Sequence, residues 1–140
     1  MTEIIVDSVR YELSEDTLTA KVGKVEPGHE FISYTIPETV TVDGNAYQVT
    51  MIGAEAFNNC PLLEEVIIPD SVTEIEDGRK VDIFIYLDDY CSAFRKCQRL
   101  KTIKLSNNLK KIGRGAFSRC TGLKSIDIPI PVDARSHKAA

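Results

Sequence analysis

The amino-acid sequence predicts a mainly β solenoid with short helical turns, preceded by an N-terminal β cap. The prediction rests on a repeated segment, on strand-like alternation within each copy, and on a hairpin-rich region before the repeats. Phe94 and Phe117 are 23 residues apart, whereas Phe57 and Phe94 are 37 apart, which is 23 plus 14. A fixed period of this size is typical of coils that stack on one another. We therefore expect three coils over residues 52–129, with a 14-residue insertion at 78–91 in the second.

The region before the repeats shows strand and turn signals of a different kind. Apolar and polar residues alternate over 5–13 and again over 18–22, around a short polar turn, which predicts a β-hairpin. A second hairpin is expected over 39–51, where Asp-Gly-Asn supplies the turn. Residues 31–36 have the composition of a further strand between the two hairpins. We interpret residues 1–51 as the cap that covers the first coil, because an uncovered coil would expose an apolar face.

Each repeat contains a strand and a tighter segment before it. In the first copy Leu63, Val66 and Ile68 should face inward, while Glu65 and Ile67 face outward. The preceding Ala-Phe-x-x-Cys segment has the spacing of a single helical turn. The phenylalanines and cysteines that recur in this segment are predicted to form a structural core ladder: Phe57, Phe94, Phe117, Cys60, Cys97 and Cys120.

The three equivalent cysteines favour buried, reduced thiols over a disulfide framework, because they occupy one slot of the repeat. Neighbouring coils nevertheless lie within disulfide range, so oxidation is geometrically open. Cys91 alone falls outside the pattern, in the insertion.

Two surfaces are candidates for binding a partner. The outward positions of the repeat strands form the outer stripe, for which a plain solvated face is the alternative; its residues are Glu65, Ile67, Thr102, Lys104, Ser125 and Asp127. The insertion has high β propensity over 81–87 and is expected to fold back on the strand at 72–76. Phe84, Tyr86 and Tyr90 would then present a partner or dimer contact, unless these aromatics cover the cap or complete a sheet.

Composition excludes several classes of protein. A net charge of −4 argues against nucleic acid as the main partner, and no apolar run approaches the length of a membrane span. Histidines and acids show no ligand spacing, so neither a metal nor a cofactor is expected, and no catalytic residue is assigned. The sequence starts without a secretory signal, so we expect a secreted or cell-surface protein if a signal has been removed, and a cytoplasmic one otherwise. Residues 130–140 are interpreted as a flexible tail.

The repeat Ile-Gly-x-x-Ala-Phe-x-x-Cys-x-x-Leu-x-x-Ile-x-Ile-Pro resembles the BspA-like leucine-rich repeats of bacterial surface proteins. Pro37-Glu38-Thr39-Val40 and Pro69-Asp70-Ser71-Val72 are similar to the Pro-x-Ser-Val start of a coil in that family, and the resemblance covers about residues 36–129. It implies a right-handed leucine-rich-repeat solenoid, an interaction role at the cell surface, and no catalytic residues. The small number of coils and the insertion at 78–91 depart from the family pattern.

These observations lead to two hypotheses of function. The first is a non-catalytic module that binds a protein or glycan at the bacterial cell surface. The alternative is a structural or self-associating element, for instance a homodimer, that uses the 78–91 insertion or an uncapped C-terminal coil. Size-exclusion chromatography with light scattering over a range of concentrations separates the two, because only the second requires assembly.

Overall fold

The computed structural model describes residues 2–26, 31–80, 90–91, 93–117, 120–123 and 133–134. Within these residues the chain forms strands and turns and contains no helix. The strands are β1 (Thr2–Val6), β2 (Val9–Ser14), β3 (Thr19–Val25), β4 (Ser33–Thr35), β5 (Thr39–Val42), β6 (Asn45–Ile52), β7 (Glu65–Ile67), β8 (Glu74–Ile75), β9 (Arg79–Lys80), β10 (Tyr90–Cys91), β11 (Thr102–Lys104), β12 (Lys111–Ile112) and β13 (Asp133–Ala134).

The strands of the described residues form two main sheets and one short ribbon. Sheet A has the order β1-β2-β3-β6-β8-β12-β13, with β5 also paired to β6, and it is parallel from β3 to β13 along this path. Sheet B has the order β11-β7-β4 and is parallel throughout. The ribbon consists of β9 and β10, which are antiparallel.

The repeat organisation confirms the predicted mainly β solenoid. Each coil contributes one short strand to sheet B and one to sheet A, so β7 and β8 of one coil lie beside β11 and β12 of the next. Matching repeat positions pair directly, as Ile75 does with Ile112. A parallel ladder with this register is what stacking of similar coils requires.

The Ala-Phe-x-x-Cys segments form tight turns in place of the helical turns that we predicted. Cys97 N donates to Phe94 O at 3.2 Å, and Leu100 N donates to Cys97 O at 3.1 Å. Both bonds span three residues. A helix does not develop because Asn59 and Lys96, each two residues after a core phenylalanine, have φ of 58° and 61°. The left-handed conformation interrupts right-handed helical geometry.

Both predicted hairpins form near the N-terminus. Leu13 in β2 pairs with Ala20 in β3, and Val42 in β5 pairs with Asn45 in β6. The prediction of one continuous strand over 5–13 is wrong, because the chain reverses at Asp7 and Ser8. Their φ angles of 50° and 65° belong to a tight two-residue turn. Because two turn residues preserve the alternate spacing of the flanking strands, the sequence pattern does not reveal the reversal.

Two further segments differ from expectation. The strand at 33–35 lies within the predicted cap, yet it pairs with β7 in sheet B and so contributes to the stacked face. The boundary at residue 51 remains a prediction. Asp133–Ala134, within the predicted flexible tail, form β13 beside β12. Backbone groups at the edge of β12 would otherwise lack a ladder partner, which favours this added strand.

The insertion leaves the solenoid differently from the prediction. Its two ends pair with each other, as Arg79 pairs with Cys91 and Lys80 with Tyr90. The prediction that the insertion folds back on the strand at 72–76 is wrong. At Glu74–Ile75 both edges of β8 are already paired, one with β6 and the other with β12. The predicted strand at 81–87 lies outside the described residues.

Candidate binding face

The outer face of sheet B carries a regular array of exposed side chains. Glu65 lies between Ser33 and Thr102 across the three strands, and Ile67 lies between Thr35 and Lys104. These six residues, Ser33, Thr35, Glu65, Ile67, Thr102 and Lys104, are hereafter the binding face. Ile67 is partly buried, and the other five are exposed.

Alternation along each strand explains why these side chains share one surface. The residues between them, Tyr34, Val66 and Ile103, are buried or half-buried and pack with the core. Successive side chains of a strand point to opposite sides of the sheet. The parallel register then places equivalent positions of neighbouring coils side by side.

The structure describes four members of the predicted outer stripe on this face: Glu65, Ile67, Thr102 and Lys104. Ser125 and Asp127 lie outside the described residues. Sequence reasoning missed Ser33 and Thr35. From Ser33 to Glu65 is 32 residues, so the 23-residue period does not reveal that β4 pairs with β7. The strand-like composition of 31–36 was the available signal.

An aromatic column lies behind the binding face. The ring centroids of Phe57 and Phe94 are 5.2 Å apart, and those of Phe94 and Phe117 are 5.3 Å apart. The interplanar angles of these pairs are 2° and 9°, so the rings are stacked. Tyr34 continues the column at 5.8 Å from Phe57, with its ring tilted by 49°. Close ring contacts of this kind stabilise the stacking of successive coils.

The cysteines form a second column beside the rings. Cys97 donates its thiol hydrogen to Phe57 O at 3.0 Å, and Cys120 donates to Phe94 O at 2.8 Å. Cys60, Cys97 and Cys120 are buried free thiols. Hydrogen bonding with the Cys120 and Cys60 thiols, together with burial, raises the pKa of Cys97. A protonated thiol that bonds to the previous coil acts as a structural group, not as a nucleophile.

A tyrosine pair joins the N-terminal hairpins to the binding face. The hydroxyls of Tyr11 in β2 and Tyr34 in β4 are 2.6 Å apart. Burial raises the pKa of both phenols, and the hydrogen bond from Tyr34 adds to the rise at Tyr11. Both side chains therefore stay neutral, and the pair fixes β4 against the hairpins.

The insertion is anchored where it leaves the second coil. Asp77 Oδ1 accepts a hydrogen bond from Arg114 N at 2.9 Å, and its Oδ2 lies 3.6 Å from Lys111 Nζ. Gly78 N donates to Arg114 O at 2.9 Å. Among the predicted contact aromatics, Tyr90 lies in β10, whereas Phe84 and Tyr86 lie outside the described residues. Their role as partner contacts remains a prediction.

Sheet A carries a surface depression of about 250 Å³ near Glu12, Lys21 and Glu76. Lys21 Nζ lies 3.8 Å from Glu12 Oε2 and 3.3 Å from Glu76 Oε2. Glu76 Oε1 also accepts a hydrogen bond from Ala54 N at 3.1 Å. Lys21 thus has two carboxylate partners, and one of them, Glu76, also holds a backbone turn. These contacts indicate a structural ion-pair group.

The described residues contain no group of three or more histidine, cysteine or acidic side chains placed to hold a metal ion. In the same part of the chain, no helix has the length and apolar character needed to span a membrane.

Comparisons with known proteins agree with this architecture. A family profile described as a BspA-type leucine-rich repeat region matches residues 30–79 and 86–139, with six copies. A leucine-rich repeat protein of Bacteroides capillosus is 32% identical, with a TM-score of 0.77, and the match covers 96% of this chain and 88% of that chain. A search of curated proteins found no match.

Two longer structures are also similar. A leucine-rich cell surface protein of Faecalibacterium prausnitzii is 32% identical, with a TM-score of 0.71, over 97% of this chain and 32% of its own. A leucine-rich repeat protein of Bacteroides ovatus is 29% identical, with a TM-score of 0.72, over 92% of this chain and 30% of its own. The chain therefore spans about a third of the length of these two relatives.

Proposed function

Because the chain belongs to the BspA-type leucine-rich repeat family, we propose that it is a non-catalytic module that binds a protein or glycan at the bacterial cell surface through the outer face of sheet B. The family consists of repeat scaffolds suited to protein interaction. The surface location is supported by the relative from Faecalibacterium prausnitzii, which is a cell surface protein.

The observation that carries the proposal is the in-register binding face across three parallel strands. Hydroxyl, carboxylate and ammonium groups stand on one surface at strand spacing, with Thr102 beside Glu65 and Lys104 beside Ile67. A partly buried Ile67 adds an apolar centre to this polar surface. Such a mixture provides hydrogen bonds and apolar contact to an extended ligand, as protein interfaces require.

Two polar groups of the described residues have structural partners. In the depression of sheet A, Lys21 lies between two carboxylates, and the raised pKa of Cys97 keeps that thiol protonated. Both groups are therefore poorly suited to act as a general base or a nucleophile.

Self-association through an uncapped C-terminal coil has less support. Phe117, Cys120 and Leu123 belong to the last described coil, and their exposed fractions are 1%, 4% and 5%. The coil does not present these side chains as an open apolar surface. An isologous dimer would need such a surface to bury.

The test is binding of the purified chain to a glycan array and to a panel of purified extracellular-matrix glycoproteins. We expect at least one probe to bind, and the pair Glu65→Ala with Thr102→Ala to weaken binding at least tenfold, because Glu65 lies on the central strand of the binding face and Thr102 is its direct neighbour on β11. The matched control is Glu15→Ala with Thr41→Ala, two exposed residues outside sheet B, which should bind normally.

Equal binding by both double variants would contradict the assignment of this face. Absence of binding to every probe would contradict the proposed function itself. Circular dichroism checks that each variant remains folded.

A further inference from the structure

Charge is distributed unevenly along the chain, although the net value of −4 hides this. Residues 90–126 contain ten lysines and arginines and no aspartate or glutamate, whereas residues 1–89 contain five basic and nineteen acidic residues. Because stacked coils follow chain order, charge segregated in the sequence is also segregated in space. The coils after the insertion are therefore basic, and the preceding part of the molecule is acidic.

Four cations from this segment lie before or within β11. Arg99, Lys101 and Lys104 are exposed, and Lys96 is half-buried. None of them forms an ion pair with another described residue, unlike Lys111, which lies 3.5 Å from Glu74 and 3.6 Å from Asp77. These four residues, Lys96, Arg99, Lys101 and Lys104, are hereafter the basic surface.

The basic surface is elongated along the chain. Arg99 lies in the turn before β11, Lys101 immediately precedes the strand, and Lys104 ends it. Five residues of extended chain span at most roughly 17 Å. An array of cations on this length fits a linear polyanion better than a single small anion, because several charges along one polymer can be contacted at once.

Acidic residues limit the basic surface on one side. Lys101 N donates to Glu64 O at 2.9 Å, so Glu64 is the neighbour of Lys101 in the adjacent coil, and Glu65 pairs with Thr102. The Glu64 carboxylate lowers the local positive potential on this side of β11. A bound polyanion should therefore follow β11, and removal of the Glu64 carboxylate, which lies outside the binding face, should strengthen binding.

We propose that the basic surface binds a sulfated linear polysaccharide. Exposed cations bind such a polymer mainly by releasing its counterions, which requires no preformed cavity. Single-stranded nucleic acid binds best where aromatic rings stack on the bases. The aromatics in 93–117 are Phe94 and Phe117, both buried in the column. The chemistry of the surface thus favours a polyanion without bases.

The inference rests on the proposed function, since Lys104 belongs to both surfaces, and it names the ligand class. Heparin fragments serve as the sulfated probe, with hyaluronan as a carboxylated polymer and a 20-nucleotide single-stranded DNA as further probes. Affinity is measured by titration calorimetry between 50 and 200 mM salt. With four contacts, the logarithm of the association constant should fall with the logarithm of salt concentration with a slope of about −3.

The variants give the test its direction. Lys101→Gln should make the slope of log association constant against log salt concentration less negative by about one. Lys24 is an exposed lysine of β3, and the matched Lys24→Gln should leave this slope unchanged. Glu64→Gln should increase affinity for heparin, while Glu15→Gln should not. Opposite effects from Lys101 and Glu64 would show that the polymer lies beside this strand.

Four results would overturn the inference. The first is absence of heparin binding at 50 mM salt, and the second is an equal loss of heparin affinity in Lys101→Gln and Lys24→Gln. The third is tighter binding of the DNA or of hyaluronan with the same variant pattern. The fourth is salt-sensitive self-association abolished by Lys101→Gln, which would identify the acidic part of a second copy as the occupant. If the Glu65 and Thr102 variants still lose binding to the glycan array or glycoprotein panel, the proposed function stands without the inference.

Discussion

Two positions illustrate how single residues set the distance between coils. Phe94 lies between Phe57 and Phe117 with both ring separations near 5 Å, so the rings act as spacers along the stack. Gly113 has the opposite role, because its lack of a side chain allows backbone to approach. A Cβ at Gly113 would overlap the backbone carbonyl of Glu76 in the preceding coil.

The glycine leads to a prediction for stability. Gly113→Ala should lower the free energy of unfolding by several kcal/mol, roughly 3, because backbone at both sides of the overlap must move. Gly44→Ala is the control, since its Cβ would meet nothing within 4 Å and only its φ of 81° is unfavourable, at roughly 1–2 kcal/mol. Urea unfolding measures both, and a loss for Gly113→Ala no greater than that of the control would contradict the explanation.

Strands and turns of the solenoid are joined mainly by contacts between equivalent elements. The turn after β7 is one example, where Asp70 Oδ1 accepts from Asn107 N at 2.9 Å and Asp70 O accepts from the Asn108 side chain at 2.9 Å. These bonds satisfy turn backbone that has no ladder partner. The insertion, by contrast, begins and ends in a local antiparallel pair, β9 with β10.

This local pairing predicts that the insertion can be removed. Because Arg79 and Cys91 pair directly, the two ends of the insertion lie about 5 Å apart, and joining Asp77 to Ser92 restores the repeat spacing. We expect the variant without residues 78–91 to remain folded, with its transition midpoint changed by only a few degrees. Thermal unfolding followed by circular dichroism checks this. A variant that is unfolded or aggregated would show that the insertion is part of the core.

The molecule as a whole is tied together by sheet A, which runs from the N-terminal hairpins into the coils. Parallel pairing of β3 with β6 is reinforced by Gly53 N, which donates to Val22 O at 2.8 Å, and by Val25 N, which donates to Ala56 O at 3.0 Å. Buried residues from hairpins and coils belong to one core cluster. We therefore expect hairpins and coils to unfold together.

Val22→Ala tests this cooperativity. Val22 is fully buried in β3, and its truncation should cost about 2 kcal/mol. If unfolding is cooperative, Cys97, in the second coil, should become roughly 30-fold more reactive toward iodoacetamide under conditions where opening and reclosing are fast relative to labelling. Mass spectrometry of the labelled peptide measures the rate. An unchanged rate for Cys97 alongside a lower midpoint by circular dichroism would show that the hairpins unfold separately.

The sequence alone determined the repeat, its period and the insertion, because buried positions in stacked coils must recur and their side chains are restricted to apolar types. Phe94 and Cys97 were recognisable for that reason, as was the outward alternation at Glu65 and Ile67. The tertiary structure alone decided which strands lie side by side. Pairing of β4 with β7 joins residues 32 positions apart, and β13 adds to β12 through backbone hydrogen bonds. Every residue type except proline carries both the backbone donor and the backbone acceptor, so such pairings leave little trace in a sequence.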